Sequence, residues 1–464
     1  MTIRVIKRSA RGGASKPAVG RRVSPSRGAA FEVLRRVEEE GAFASVLLAH
    51  AGSELRADDH ALCYELTLGV LRWQLWLDKL IEHYAGRDAS ELDRPVRRAL
   101  RLGLYQLRFL SRIPASAAVN ESVNLAHASG LRSASGFINA VLRRATREPD
   151  FDPATLARDE LERISISTSH PQWLVARWAA EFGAAQAEQI ARANNRTPPV
   201  AFRVNTLRAN EDEVIGKMRA AGIEVFESRI TKGAWRIAAG MGGEALRTLA
   251  TDGVVYTQDE ASQLAGHIVG AREAERILDV CAAPGSKATQ MAALTNGPAL
   301  VVACDLYAHR LRTLVDAARR LGVGNILTVA LDAEASPLPF AAESFDRVLV
   351  DAPCTGTGTL RHNPEIRWRL LPEDITQLAT RQQRILANAA RAVRVGGRLV
   401  YSTCSLEREE NESVVASFLE AHAEFRQVRA DASAEFLTAA GAARTFPHRD
   451  DADGFFIAVL ERAN

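Results

Sequence analysis

From Arg276 onward, short apolar runs alternate with helical stretches: Ile277 to Cys281, Leu300 to Cys304, Ile326 to Leu331, Arg347 to Val350 and Arg398 to Ser402. Strand and helix taking turns in this way predict a parallel, doubly wound α/β sheet. A final run, Gly454 to Leu460, is richer in aromatics and is expected to add to an edge. In such sheets ligands sit beyond the carboxyl ends of the strands, so the residues just after each strand matter most.

Those residues are unusual. The first strand runs into Asp279-Val280-Cys281-Ala282-Ala283-Pro284-Gly285-Ser286-Lys287, a tight turn of small residues that lets backbone approach a ligand. It lacks the GxGxxG of a dinucleotide site and the GxxxxGK[ST] of a phosphate-binding loop. The next strands end at Asp305, Asp332 and Asp351, so four acids follow four consecutive strands. They suit a nucleoside-bearing ligand with little phosphate, whose hydroxyls a carboxylate accepts and whose charge it does not repel. S-adenosylmethionine fits that description. Taken singly, each aspartate reads as a turn or N-cap residue.

Two strand ends carry cysteine, in Asp351-Ala352-Pro353-Cys354-Thr355-Gly356-Thr357-Gly358 and in Ser402-Thr403-Cys404-Ser405. Free cysteine is usually a small buried hydrophobe. On the functional edge of a sheet, reactivity is the better reading. A helix after Cys404 would lower its thiol pKa through the dipole, and Glu407, Glu409 and Glu410 would raise it, so the sign of the net shift stays open.

The rest of the 464 residues divides by pattern. Met1 to Arg27 holds eight Lys/Arg and no acid, which leaves −5 for the remainder of a chain whose net charge is +3. Such an arm cannot bury a core, and it gains affinity for a polyanion by releasing counterions. Residues 28–150 are helical throughout, with stripes at Ala30, Val33, Leu34 and Val37, at Leu62, Leu66, Val70 and Trp73, and from Val96 to Leu107 behind Pro95. Residues 151–262 read as linker helices and a small α/β insert containing the strand Val200 to Asn205 and the helix Glu211 to Ala221, and residues 263–464 as the large α/β domain. No apolar run approaches the roughly eighteen residues of a membrane span. The five cysteines form no CxxC pair, so no metal site is expected, and a cytoplasmic monomer is the default.

The three strand-end blocks, with Asn411 following Glu409-Glu410, resemble the Sun family of RNA cytosine-5 methyltransferases. The pieces Val119 to Val123 and Phe137 to Arg143 resemble a NusB-like RNA-binding domain. With the Pro199 to Leu207 block and Asp453-Gly454-Phe455-Phe456, they point to the bacterial branch that methylates 16S ribosomal RNA. The resemblance implies a Rossmann-like class I methyltransferase domain behind an all-α NusB-like domain, with S-adenosylmethionine as cofactor and small-subunit ribosomal RNA as partner. It further implies Cys404 as the nucleophile at cytosine C6, Asp351 on the N3/N4 edge and Cys354 in product release. Cys281 to Lys287 would line the methionine end of the cofactor, Asp305 the ribose and Asp332 the adenine. Ser286 departs from the glycine common in the family. Arg361, His362, Arg367, Trp368 and Arg369 are expected to meet phosphates or bases. Two alternatives stay open: the same chemistry on transfer RNA, and a non-catalytic assembly factor on this scaffold, against which both cysteines argue.

Overall fold

The computed structural model describes residues 23–52, 54–237, 243–295 and 299–463. Most of the basic arm therefore lies outside the described residues. Its last part does not behave as an arm: the first helix runs Pro25–Glu40, and Arg27 is buried with its Nε donating to Gln106 Oε1 at 2.7 Å. Proline in the first turn, Glu121 accepting from the Ser24 amide at 3.0 Å, and the apolar face Val33, Leu34 and Val37 explain why the helix begins here.

Two compact units divide the chain, one taking the residues up to Gly41 with 48–67 and 81–151, the other 42–47, 68–80 and 152–464. Among the described residues the first unit contains helices and no strand. Its helices Arg94–Phe109, Ala115–Ala128 and Ser135–Arg147 meet at Gly103, where a Cβ would come within 2.7 Å of Leu142 and of the Ser122 hydroxyl. Arg98 is buried there and is neutralised by Glu38 and Glu39, both at 2.8 Å.

In the second unit β1 (Val200–Val204), β2 (Val225–Glu227), β3 (Ala234–Ile237) and β4 (Val255–Thr257) form an antiparallel sheet in the order β2-β3-β1-β4. The large sheet contains β5 (Arg276–Asp279), β6 (Leu300–Asp305), β7 (Ile326–Ala330), β8 (Phe345–Asp351), β9 (Val393–Thr403), β10 (Phe425–Val428), β11 (Ala443–Arg444) and β12 (Phe456–Arg462). Its order is β10-β12-β9-β8-β5-β6-β7, with β11 on β12. Strands β5 to β9 are parallel, as the alternation predicts. β12 is antiparallel and lies inside the sheet between β9 and β10 rather than at its edge. Its residues Phe456, Ile457, Ala458, Val459 and Leu460 are all buried, which an edge strand with one open side would not need.

Side chains along the central strands alternate between the two faces. Ile277, Leu349 and Val400 enter one core, while Leu278, Val348, Val350, Leu399 and Tyr401 enter the other. With both faces covered by helices, only the strand ends reach a ligand. Among the described residues no helix is long and apolar enough to cross a membrane.

Candidate active site

β8 and β9 are parallel neighbours with Asp351 opposite Ser402, so their carboxyl ends finish side by side. The loops that leave them bring Cys354 Sγ to 3.2 Å from Cys404 Sγ. Gly358 makes this approach possible. Its amide donates to the Cys404 carbonyl at 2.9 Å, its carbonyl accepts from the Gly454 amide at 2.8 Å, and a Cβ would collide with both carbonyl groups facing it. The Asp453-to-Phe456 block thus belongs to the same site as the cysteine loops.

Asp351 stands between the two cysteine loops and the turn after β5. Its Oδ1 accepts from Ser402 Oγ at 2.8 Å, and its Oδ2 from Lys287 Nζ at 2.7 Å. Lys287 is buried in the first turn of the helix Ser286–Thr295, with its ammonium 5.1 Å from the Phe455 ring centre. Burial works against that charge, yet the attraction and hydrogen bond of Asp351, with Cys404 beyond it, hold the lysine above its ordinary range. The resemblance implies Lys287 at the methionine end of the cofactor; its amine pairs with Asp351, within electrostatic reach of Cys404.

Contact with Cys404, then burial, then the charges of Cys404 and Glu410 push the Cys354 thiol well above its ordinary value. Glu407 and Glu409 find partners elsewhere. Both pair with Arg177, at 2.9 and 2.8 Å, and Trp178 Nε1 donates to Glu407 at 3.1 Å. Nor does a helix begin at Cys404: the next one is Glu412–Ala421, behind the short 3-10 turn Arg408–Glu410.

On the β5–β6 side, Ala282, Ala283 and Gly285 are buried, Cys281 and Ser286 half-buried and Pro284 exposed. Gly285 has φ 111°, and a Cβ there would meet Leu314 at 2.6 Å. Asp305 is buried, receives the Tyr307 amide at 3.0 Å and pairs with Arg310 at 3.1 Å, while Arg310 also donates to the Ala283 carbonyl at 2.8 Å. Arg310 therefore staples the turn after β5 to the acid after β6. Nothing in the sequence pattern singled it out, apart from its place in the first turn of the helix after Asp305. Asp332 is exposed and closes a turn by accepting the Glu334 amide at 2.9 Å.

Asp279 is buried, and its Oδ2 has no hydrogen-bond partner. Burial first, then Asp351, pushes its carboxyl up to about 8. A buried polar oxygen left without a partner at a strand end calls for a ligand group, and an amino-acid moiety with a cationic centre supplies one. The small turn, the orphaned Asp279 oxygen and Asp305 together fit S-adenosylmethionine. A cavity of about 700 Å³ adjoins Cys354 and is lined also by Thr355, Phe43, Arg369 and Arg381.

Most of the basic run after the Cys354 loop is spent on partners within the protein, while His362 is half-buried beside Asp453 and Arg369 also lines the cavity next to Cys354. Arg361 is 2% exposed and pairs with Asp453, Asp451 and Asp259 at 3.1, 3.2 and 3.4 Å. Arg367 is fully buried and spends its donors on Asn195 Oδ1 and on the carbonyls of Ser169, Asn194 and Leu360. Trp368 Nε1 donates to the Leu71 carbonyl at 2.6 Å, and Arg369 to that of Ala42. A sequence cannot separate charges that face solvent from charges that close an interior network.

A class I fold whose turn, acids and orphaned oxygen fit S-adenosylmethionine defines a methyltransferase dependent on that cofactor. The 16S rRNA methyltransferase RsmB/F family matches residues 267–461, the NusB family residues 24–147, and the ferredoxin-like domain of RsmF/B-like methyltransferases residues 170–242. The chain is 34% identical over 447 residues to the probable ribosomal RNA small subunit methyltransferase B of Bacillus subtilis, covering 93% of this chain and 98% of that protein. It is likewise 34% identical over 439 residues to ribosomal RNA small subunit methyltransferase B of Klebsiella pneumoniae, covering 94% and 97%. The crystal structure of PH0851 superposes with a TM-score of 0.82 at 29% identity, over 95% of this chain and 99% of that one. The chain belongs to the ribosomal RNA small subunit methyltransferase B family, and it is an S-adenosylmethionine-dependent RNA methyltransferase.

Proposed function

We propose that the protein methylates C5 of a cytosine in 16S ribosomal RNA through a covalent bond between Cys404 and C6. The observation that carries this reading is the 3.2 Å approach of two thiols at the ends of neighbouring parallel strands, beside the ion pair of buried Lys287 with half-buried Asp351. Cytosine C5 is a poor nucleophile, so the ring needs activation. The Cys404 sulfur adds to C6 and the π electrons of the C5–C6 bond move toward C5. S-adenosylmethionine, when bound, supplies the electrophilic methyl group that C5 takes. C5 then gives up its proton with help from Cys354, the C5–C6 double bond re-forms, and the Cys404 sulfur departs with the electron pair of the C–S bond.

Each Asp351 oxygen keeps a second lone pair beside those used by Ser402 and Lys287, so the carboxylate retains the capacity to accept from the N4 amino group and a protonated N3. The upward push on Cys354 favours its thiol form and so disfavours it for attack at C6; as a thiolate, the form that takes the C5 proton, it is for the same reason the stronger base. For the cofactor we assign Cys281 to Ser286 and Asp279 to the methionine end, Asp305 to the ribose and Asp332 to the adenine edge. The names of the relatives, whose length this chain spans almost fully, support small-subunit ribosomal RNA as the substrate. The target base must leave its stack to reach the thiols.

The test uses purified protein, 16S ribosomal RNA and S-adenosylmethionine. Cys404→Ala should abolish methylation and form no RNA adduct. Cys354→Ala should leave a thioether-linked protein–RNA species that runs as a slower band on a denaturing gel. Adduct accumulating in Cys404→Ala instead would exchange the roles, and full methylation by both single variants would discard covalent catalysis.

The helical first unit and the basic arm are proposed to hold the RNA by its phosphates. Removing residues 1–22, which carry seven Lys/Arg, should flatten the dependence of log affinity on log salt, because each lost phosphate contact lowers the slope by about 0.7 to 0.9. An unchanged slope would leave the arm without a part in binding.

A further inference from the structure

Cys354 and Cys404 follow strand ends, sit among small residues and touch each other, so something must make them unlike. Glu410 is the group between their loops. It lies in the 3-10 turn Arg408–Glu410, and its side chain is 0% exposed. Oε1 accepts from the Thr355 amide and from Gln382 Nε2, both at 2.9 Å. Oε2 accepts from Thr355 Oγ1 at 2.5 Å and from Ser405 Oγ. Thr355 directly follows Cys354, and Ser405 directly follows Cys404. Among the described residues no ion pair reaches this carboxylate.

A buried carboxylate without a cation is costly to keep, and an apolar side chain of similar size would fill the space as well. What an apolar side chain would not do is accept three hydrogen bonds from the two loops at once, with a fourth from Gln382 on the helix Pro372–Ala390. The anchor itself is firm. Tyr401 OH donates to the Glu410 carbonyl, and the neighbouring Asn411 accepts from Thr403 Oγ1 and donates to the Ser405 carbonyl at 2.9 Å. Glu410 is also lopsided: it takes both the amide and the hydroxyl of Thr355 but only the hydroxyl of Ser405. Its negative charge thus sits against the Cys354 loop, and that charge contributes to holding the Cys354 thiol protonated.

We propose that Glu410 is a positioning residue whose carboxylate ties the two cysteine loops together, its Ser405 arm setting Cys404 for attack and its Thr355 arm setting Cys354 for release. The inference rests on the thiol roles proposed above. It goes beyond them in naming the group that gives each thiol its half of the reaction.

The test measures, for full-length protein with 16S ribosomal RNA and S-adenosylmethionine, the first-turnover rate of methyl transfer and the fraction of protein held as RNA adduct. Ser405→Ala, which removes the bond to Glu410 together with the acceptor of the Glu407 amide, should slow the first turnover by about tenfold or more, with no build-up of adduct. Thr355→Val should do the opposite, trapping adduct while the first turnover stays within about twofold. Ser405→Thr and Thr355→Ser, which keep the hydroxyls, should restore both readouts. Glu410→Gln, which sets an amide donor against donors, should impair both halves while calorimetry shows unchanged cofactor affinity; should it not fold, the hydroxyl variants decide alone. Equal losses in both steps that track a falling Tm would make Glu410 a packing residue. If Cys354→Ala traps no adduct, the thiol roles fail and this inference with them. If Cys354→Ala traps adduct while the hydroxyl variants leave the partition unchanged, this inference alone is overturned.

Discussion

The sheet presents cysteines at two places on its carboxyl edge, and the two places differ in what surrounds the sulfur. At β5 and β6, Cys281 and Cys304 lie among Asp279, Asp305 and Asp351. Burial, then those carboxylates, pushes Cys281 well above its ordinary value, and burial with Asp279 and Asp305 pushes Cys304 up to about 12. At β8 and β9, Cys354 and Cys404 face each other, and the Lys287 ammonium lies within electrostatic reach of Cys404. A cysteine after a strand is therefore not yet a nucleophile. In the proposed mechanism what sets the second pair apart is a cation, brought by a helix that follows one of the other pair of strands.

The comparison breaks most readily at Lys287. Lys287→Met removes the positive charge from the thiol pair and leaves Asp351 with its Ser402 bond only. Methyl transfer should fall by about two orders of magnitude, the usual effect of removing one preorganised electrostatic partner from a reacting site. A loss of less than tenfold would mean that the cation is not what distinguishes the two edges.

Asp279 sharpens the electrostatic side. Its carboxyl rises from the ordinary range to about 8, so the folded protein binds this proton more tightly than the unfolded chain. Its contribution is fully present below about pH 4 and drains away as the pH climbs, at roughly 1.4 kcal/mol per unit, until the folded carboxyl ionises. Asp279→Asn should flatten this decline in Tm between pH 4.5 and about 8. A decline identical to that of the parent protein would remove Asp279 from the account.

The smallest effect is expected at Cys304, fully buried within β6. Cys304→Ser places a hydroxyl in an apolar setting and should cost about 1–3 kcal/mol of stability with methyl transfer unchanged. A drop in rate beyond that of stability would give Cys304 a part in the chemistry.

Much of this site is legible in the chain. Each strand of the parallel set is a short apolar run, and both faces of the sheet are covered, so the positions free to carry polar residues are those just past the strand ends. That is why Asp305, Asp351, Cys354 and Cys404 stand out from composition and spacing alone. β2 and β3 do not stand out, because three- and four-residue strands without sustained alternation leave no period to read. The arginines after Cys354 mislead for a related reason: Arg361 and Arg367 are as polar as any surface residue, and their partners, Asp453 and Asn195, are 92 and 172 positions away in the chain.

The sequence by itself determined the parallel sheet, the order of its acids and cysteines, and the kind of ligand they suit, since periodicity and strand-end chemistry are local properties. Only the tertiary structure decided that Lys287 turns to Asp351, that Arg310 staples two strand ends, that β12 enters the sheet, and that Glu410 rather than Glu407 or Glu409 faces the thiols. Each of these depends on which distant residue, by side chain or by strand edge, fills a partner's remaining hydrogen-bond capacity, and no local pattern encodes that.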